Sequence, residues 1–269
     1  MVDIAFIGGG NMATAIIGGL LRQGRAASSI LVIDPSDEQR QRLSQTLGVR
    51  TQAQADAALS NASTVVWAVK PQHFKEAASA ASPFTRQALH YSVMAGLRTS
   101  DMARLLGTPR IVRAMPNTPA LVGQGMTGLF ARLEVNAAEK QQVQTMVEPT
   151  GQWLWVDQEA DLDAVTALSG SGPAYVFYFI EAMTQAAADM GLSAEQGRAL
   201  ALATFAGATA LASQSNEAPA VLRERVTSKG GTTYAALSSM ETSGVKAAFV
   251  AAMRAAQQRA GELGDEFGR

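Results

Sequence analysis

A chain of 269 residues with 47% hydrophobic residues is long enough to bury a large core and to form two domains. Its 22 basic and 23 acidic residues leave a formal charge of −1, which excludes the one-signed field of a nucleic-acid or anionic-membrane binder and points to small ligands. The absence of cysteine removes disulfides, thiolate zinc sites and cysteine nucleophiles.

The opening residues, MVDIAFIGGG, carry acidic Asp3 where a signal peptide is basic, and glycine arrives before an apolar segment can build. A cytoplasmic location is therefore expected. No apolar stretch approaches the roughly 20 residues that a membrane helix needs.

VDIAFI (2–7) predicts a short strand ending at Gly8, and the apolar spacing from Asn11 to Arg22 predicts a helix. SILVID (29–34) reads as a second strand. Ser36 and Gln39 form a capping-box pattern opening a helix with Leu43 and Leu47 inward, closed by Gly48. STVVWAV (63–69), ALHYSVM (88–94) and RIVRAM (110–115) are further β-branched runs, separated by enough chain for crossover helices. The fold class expected is α/β: an N-terminal Rossmann-like, doubly wound parallel sheet over residues 1–160, then an all-α domain over 161–269. In that second part, AEQGRALALATFAGATALAS (194–213) is small or apolar on nearly every face. A helix without a polar side must be covered all round, and a domain of about 110 residues can hardly do that alone, so a symmetric dimer is expected. Cover from within its own domain is the alternative.

Gly8, Gly10 and Ala13 spell G-x-G-x-x-A between strand and helix, with Asn11 and Met12 at the helix start. There the glycines permit a tight turn, and backbone N–H groups can approach a pyrophosphate. Asp34 ends the second strand, where an acid bonds the ribose hydroxyls of NAD, although an aspartate before Pro35 is also an ordinary turn residue. Ser36, Arg40 and Arg42 offer donors for the 2′-phosphate of NADP, so NADH and NADPH both stay open. Ligands of such sheets bind beyond the carboxyl ends of the strands. Ala68-Val69-Lys70-Pro71, Ala95-Gly96 and Asn117, held between two prolines, complete the candidate cofactor set. For Lys70 an exposed strand-end lysine is the plainer reading.

A second cluster, Ser228-Lys229-Gly230-Gly231-Thr232-Thr233, precedes a helical run from Tyr234 to Met240. Two glycines and three hydroxyls at a helix start suit a carboxylate, and they equally suit an N-capping turn. The only histidines are His73 and His90, and both read as structural. SGSGPAY (169–175) is expected to interrupt a long helix so that Gly170 and Gly172 admit nicotinamide; a plain helix start at Pro173 is the rival.

LRERVTSKGGTT (222–233) resembles the C-terminal signature of pyrroline-5-carboxylate reductases, and FIGGGNMA (6–13), AVKP (68–71), RAMPNTPALVGQG (113–125) and LSGSGPAYVF (168–177) resemble the corresponding family segments in order. The resemblance implies a nicotinamide-dependent reductase with a helical domain intertwined in a homodimer, sometimes assembled into a decamer. It implies that Ser228, Gly230, Gly231, Thr232 and Thr233 hold pyrroline-5-carboxylate, with Thr233 bonding the ring nitrogen in catalysis. Two positions depart from the family pattern. Lys229 replaces the usual proline, as a solvated side chain or as extra charge beside the carboxylate, and Asp34 stands where relatives often carry Ser or Thr. A β-hydroxyacid dehydrogenase is the nearest enzymatic alternative, but such enzymes place a lysine four residues after a glycine pair, where Val176 follows Gly172 here. A non-catalytic dinucleotide-binding regulator would have no need of the second glycine cluster.

Overall fold

In the computed structural model, which describes Val2 to Gly268, the chain forms two compact units. One contains the residues up to Gly172 together with those from Ala256 onward, and the other is Pro173–Ala255.

The first unit is built in the order β1 (Ile4–Ile7), α1 (Asn11–Arg22), β2 (Ile30–Ile33), α2 (Asp37–Leu47), β3 (Arg50–Gln52), β4 (Thr64–Trp67), α3 (Phe74–Thr85), β5 (Leu89–Ser92), α4 (Thr99–Leu106) and β6 (Ile111–Met115). It continues through β7 (Gly125–Ala131), α5 (Ala137–Val147), β8 (Gly151–Trp155) and α6 (Asp161–Val165). Its single sheet has the order β3-β2-β1-β4-β5-β6-β7-β8, so the chain reverses direction across the sheet between β1 and its neighbours β2 and β4. The strands from β3 to β6 are parallel, but β7 runs antiparallel to β6 and β8 parallel to β7. The expected doubly wound parallel sheet is thus present, with one antiparallel pair, β6 with β7, towards its edge. Only residues 116–124 join β6 to β7, too few for a parallel crossover, which takes a dozen or more.

Alternation within strands sends side chains to two cores. Ile4 and Phe6 of β1, Ile30 and Val32 of β2 and Val66 of β4 pack with Ile16, Ile17 and Leu20 of α1 and with Val143 and Met146 of α5. Ala5, Ile7, Leu31, Ile33, Val65 and Trp67 point the other way, onto Phe74 and Ala78 of α3 and Met102 and Leu106 of α4. Each large apolar side chain buried in this way contributes about 1.5–3 kcal/mol relative to exposure, so helices on both faces are what make the parallel strands stable. The Ser36–Gln39 capping box forms by half. Ser36 accepts from the Gln39 N–H at 3.3 Å, whereas the Gln39 amide donates to the Gly9 carbonyl instead of returning to its own cap. Gly48, at φ +67°, ends α2 as expected.

The second unit is helical: α7 (Gly172–Asp189), α8 (Ala194–Gln214), α9 (Pro219–Arg225), α10 (Thr232–Thr242) and the first part of α11 (Val245–Phe267). A capping box between Ser193 and Gln196 starts α8. Among the described residues of α8, Gly197 and Ala201 alone are buried, and Leu200 and Leu211 are 55% and 69% exposed. Cover from its own domain, the alternative weighed for this helix, is thus not what the chain provides. No helix among the described residues is long and apolar enough to cross a membrane.

Candidate active site

The loops leaving β1, β2 and β4 meet where the chain order reverses, the usual position of a ligand on an open α/β sheet. Gly8 has φ +95°, and a Cβ on it would stand 2.6 Å from the Ala68 carbonyl oxygen, so only glycine lets this turn pass the end of β4. Gly10 caps α1 in an extended conformation with no side-chain bond, and a Cβ there would meet nothing within 4 Å. The first N–H groups of α1, at Asn11, Met12 and Ala13, therefore open a helix end whose positive potential no side-chain cap absorbs. This is what a dinucleotide pyrophosphate requires.

Asp34 is bound into the same turn. One carboxylate oxygen accepts the Gly9 N–H at 2.8 Å and the other the Ser36 N–H at 2.9 Å. The Arg40 guanidinium donates to the Asp34 and Pro35 carbonyls and to Asp37, and the Ser36 hydroxyl caps α2. Of the donors weighed for a 2′-phosphate, the Arg40 guanidinium is thus committed locally, whereas the Ser36 hydroxyl only accepts in its cap and keeps its own O–H to donate, and Arg42 is exposed.

Ala68 and Val69 are half-buried at the exit of β4, and Lys70 is exposed ahead of a tight turn at Pro71–His73. On the loop after β5, Ala95 is exposed and Gly96 adopts φ +77°. Asn117 is a fixed amide: its Nδ2 donates to the Ser169 carbonyl and hydroxyl, both at 3.2 Å, and its Oδ1 accepts the Met126 N–H at 2.8 Å. Residues Thr166–Gly170 form a π-helical turn between α6 and α7, so the helix is interrupted a few residues earlier than the 169–175 expected, and α7 starts at Gly172 with Pro173 in its first turn, as the rival reading has it. Gly170 serves packing there. A Cβ on it would lie 2.4 Å from the Met115 side chain, while Gly172 faces open space.

A buried ionic cluster, absent from the sequence reading, ties these loops together. Arg113 on β6, 2% exposed, donates to Glu159 at 3.1 Å, and Glu159 also accepts the Thr99 N–H and hydroxyl at 2.8 and 2.7 Å, capping α4 from 60 residues away. Arg98 grips both oxygens of Asp163. Burial lowers the Arg113 pKa and Glu159 raises it, leaving the guanidinium charged. No spacing rule finds such a cluster, because its members come from three separate segments.

His90 is fully buried and structural, as expected. Trp67 Nε1 donates to its Nδ1 at 2.9 Å and its Nε2 lies 3.0 Å from the Thr85 carbonyl, which selects the neutral Nε2–H tautomer. Burial, the largest influence, lowers its pKa to about 4. His73 is exposed at the end of its turn.

The second glycine cluster lies in the helical unit. Gly230 adopts φ +75° with open space around it. Gly231 caps α10 without a side-chain bond, and its N–H donates to the Ser228 carbonyl at 3.0 Å. Among the described residues the first turn of α10 thus begins with no side-chain cap, against the simple capping role that its hydroxyls suggested. Ser228, Lys229 and Thr232 are exposed, Thr233 half-buried. The candidate cofactor residues fall in the sheet unit and the candidate substrate residues in the helical unit.

The model of the family "Pyrroline-5-carboxylate reductase dimerisation" matches residues 159–263, and "NADP oxidoreductase coenzyme F420-dependent" matches 3–96. The pyrroline-5-carboxylate reductase of Pseudomonas aeruginosa is 44% identical over 99% of this chain and 98% of its own, and that of Pasteurella multocida is 41% identical over 97% of each. The solved pyrroline-5-carboxylate reductase of Coxiella burnetii superposes with a TM-score of 0.91 at 37% identity, covering 97% of this chain and 98% of that one. The Plasmodium falciparum pyrroline carboxylate reductase, solved with NADP bound, gives 0.87 at 28% identity over 98% of each chain. With the glycine turn of a dinucleotide fold in one unit, an uncapped glycine-hydroxyl helix start in the other, and this likeness from end to end, the chain belongs to the pyrroline-5-carboxylate reductase family.

Proposed function

We propose that this chain reduces (S)-1-pyrroline-5-carboxylate to L-proline, the last step of proline biosynthesis, by hydride transfer to the C=N carbon. Family membership along the whole chain carries the reading. A reduced nicotinamide dinucleotide supplies the hydride when bound. Gly8, Gly10, Asn11, Met12 and Ala13 hold its pyrophosphate at the start of α1, while Asp34, Ser36, Ala68, Val69, Lys70, Pro71, Ala95, Gly96 and Asn117 shape the surrounding rim. The backbone of Gly230 to Thr233 fixes the substrate carboxylate with help from the Ser228 and Thr232 hydroxyls, and Thr233 orients the imine nitrogen. A protonated imine is already electrophilic, so positioning does most of the catalytic work and no strong side-chain acid is needed.

Asp34 favours NADH over NADPH in this reading, since its carboxylate repels a 2′-phosphate and the Arg40 donors are engaged elsewhere. The helical module, taken from residue 161, pairs two chains in a homodimer. Support comes from the apolar side chains exposed on α7 and α8, among them Phe177, Tyr178 and Leu211. A cytoplasmic enzyme, with a decamer as the larger assembly, completes the proposal. Mixing the purified protein with pyrroline-5-carboxylate and either NADH or NADPH, and following absorbance of the reduced coenzyme, tests it. Faster oxidation of NADH is expected. No oxidation of either coenzyme refutes the activity, and preference for NADPH refutes the role given to Asp34.

A further inference from the structure

The end of α11 closes over the loop that leaves β5. Phe267 lies against Gly96, so that a Cβ on Gly96 would stand 2.9 Å from the Phe267 ring and 3.3 Å from Leu263 Cβ. One turn earlier, a Cβ on Gly264 would stand 2.6 Å from Arg98 Nε, and Arg98 is itself anchored to Asp163. The Arg104 guanidinium donates to the Gly268 carbonyl at 3.2 Å, tying down a terminus that would otherwise fray. Beneath the loop Met94 and Leu97 are buried. Residues 94–98 are therefore held from below by the core, at one end by the Arg98–Asp163 pair and from above by an aromatic ring, while Ala95 is left exposed.

We propose that Phe267 is a positioning residue, its ring on Gly96 holding Ala95 and Gly96 in the shape that receives the dinucleotide. The proposal rests on the cofactor reading given above. Gly96 occupies the left-handed region, where nothing in its own side chain fixes the backbone, so an outside contact has to select the conformation. Phe267 supplies that contact from the C-terminal end of the chain.

The test is the dissociation constant for NADH and NADPH, read by fluorescence titration without substrate, together with steady-state KM values. Phe267→Ala is expected to weaken the preferred dinucleotide roughly 5- to 50-fold, the scale of a small misplacement of a binding loop, with the KM for pyrroline-5-carboxylate within about 2-fold of wild type. Phe267→Leu, which refills the space over Gly96, should recover most of the loss. Gly264→Ala, which pushes the helix end off Arg98, should weaken dinucleotide binding in the same direction and serves if Phe267→Ala folds poorly. An unchanged dissociation constant in both variants, with only a lower melting temperature, overturns the proposal and leaves the cofactor reading intact. A wild-type protein that binds neither dinucleotide overturns both.

Discussion

The two units solve the burial problem differently. The sheet unit sends alternate strand residues to two closed cores and leaves Phe6, Val66 and Trp67 without measurable exposure. The helical unit buries almost nothing: α9 and α10 have no buried residue among those described, and Phe177, Tyr178, Leu200 and Leu211 are more than half exposed. A fold that is complete on its own and one that is not share a single chain. The difference teaches that the cofactor end can be understood from one chain, whereas the helical end makes physical sense only with a second copy against it.

The sharpest way to break this comparison is to charge the apolar face. Leu200→Glu with Leu211→Glu should raise the dimer dissociation constant by about 100-fold or more, seen by analytical ultracentrifugation as single-chain mass. A double variant that stays dimeric places the interface elsewhere. Thr233→Val keeps the shape of α10 and removes one hydroxyl. It should lower kcat by about 10- to 1000-fold if that bond strengthens in the transition state, with assembly and dinucleotide affinity unchanged, and an unaltered kcat removes Thr233 from the chemistry.

Effects confined to the sheet unit come next. Arg113→Met leaves Glu159 without its buried cation and should cost about 3 kcal/mol in urea unfolding, while the mass in the ultracentrifuge stays that of wild type. Last is His90. Its pKa falls from 6.5 to about 4 on folding, so the unfolded chain takes up a proton first as the pH drops. Stability is full above pH 6.5 and declines towards pH 4, by at most about 3 kcal/mol. Protonation of Nδ1 also expels the Trp67 donor, so tryptophan emission should report the same transition. His90→Gln should flatten the dependence between pH 7 and 5. An equal slope in both proteins would assign it to other groups.

Strands β1, β2, β4 and β6 were legible because each is a short run rich in β-branched or other apolar residues, and β5, which has no β-branched residue, because LHYS lies in a short run ending in Val93 and Met94. The Gly8–Ala13 turn was legible because its spacing follows from the geometry of phosphate approach. β3 was missed as three polar residues, RTQ, at the sheet edge, and β7 because GMTGLFA carries two glycines that look like turn signals. Gly128 is required there instead by the side chain of Val165, which a Cβ would meet at 2.7 Å. Residues brought together from far apart, such as Glu159 with Thr99 and Arg113 or Phe267 with Gly96, leave no local trace at all. The exposed state of α8 was half legible: its uniformly small and apolar composition announced a need for cover, but composition does not say which surface provides it.

The two bonds accepted by Asp34 bear on any attempt to re-code coenzyme choice. Exchanging this acid for serine would do more than relieve repulsion of an extra phosphate, because the Gly9 and Ser36 amides would lose their acceptors together and the glycine turn would lose its brace. Asparagine keeps one carbonyl acceptor and sheds the charge. A swap that succeeds should therefore pass through asparagine, or bring a compensating change in Gln39, which braces the same turn from the opposite side.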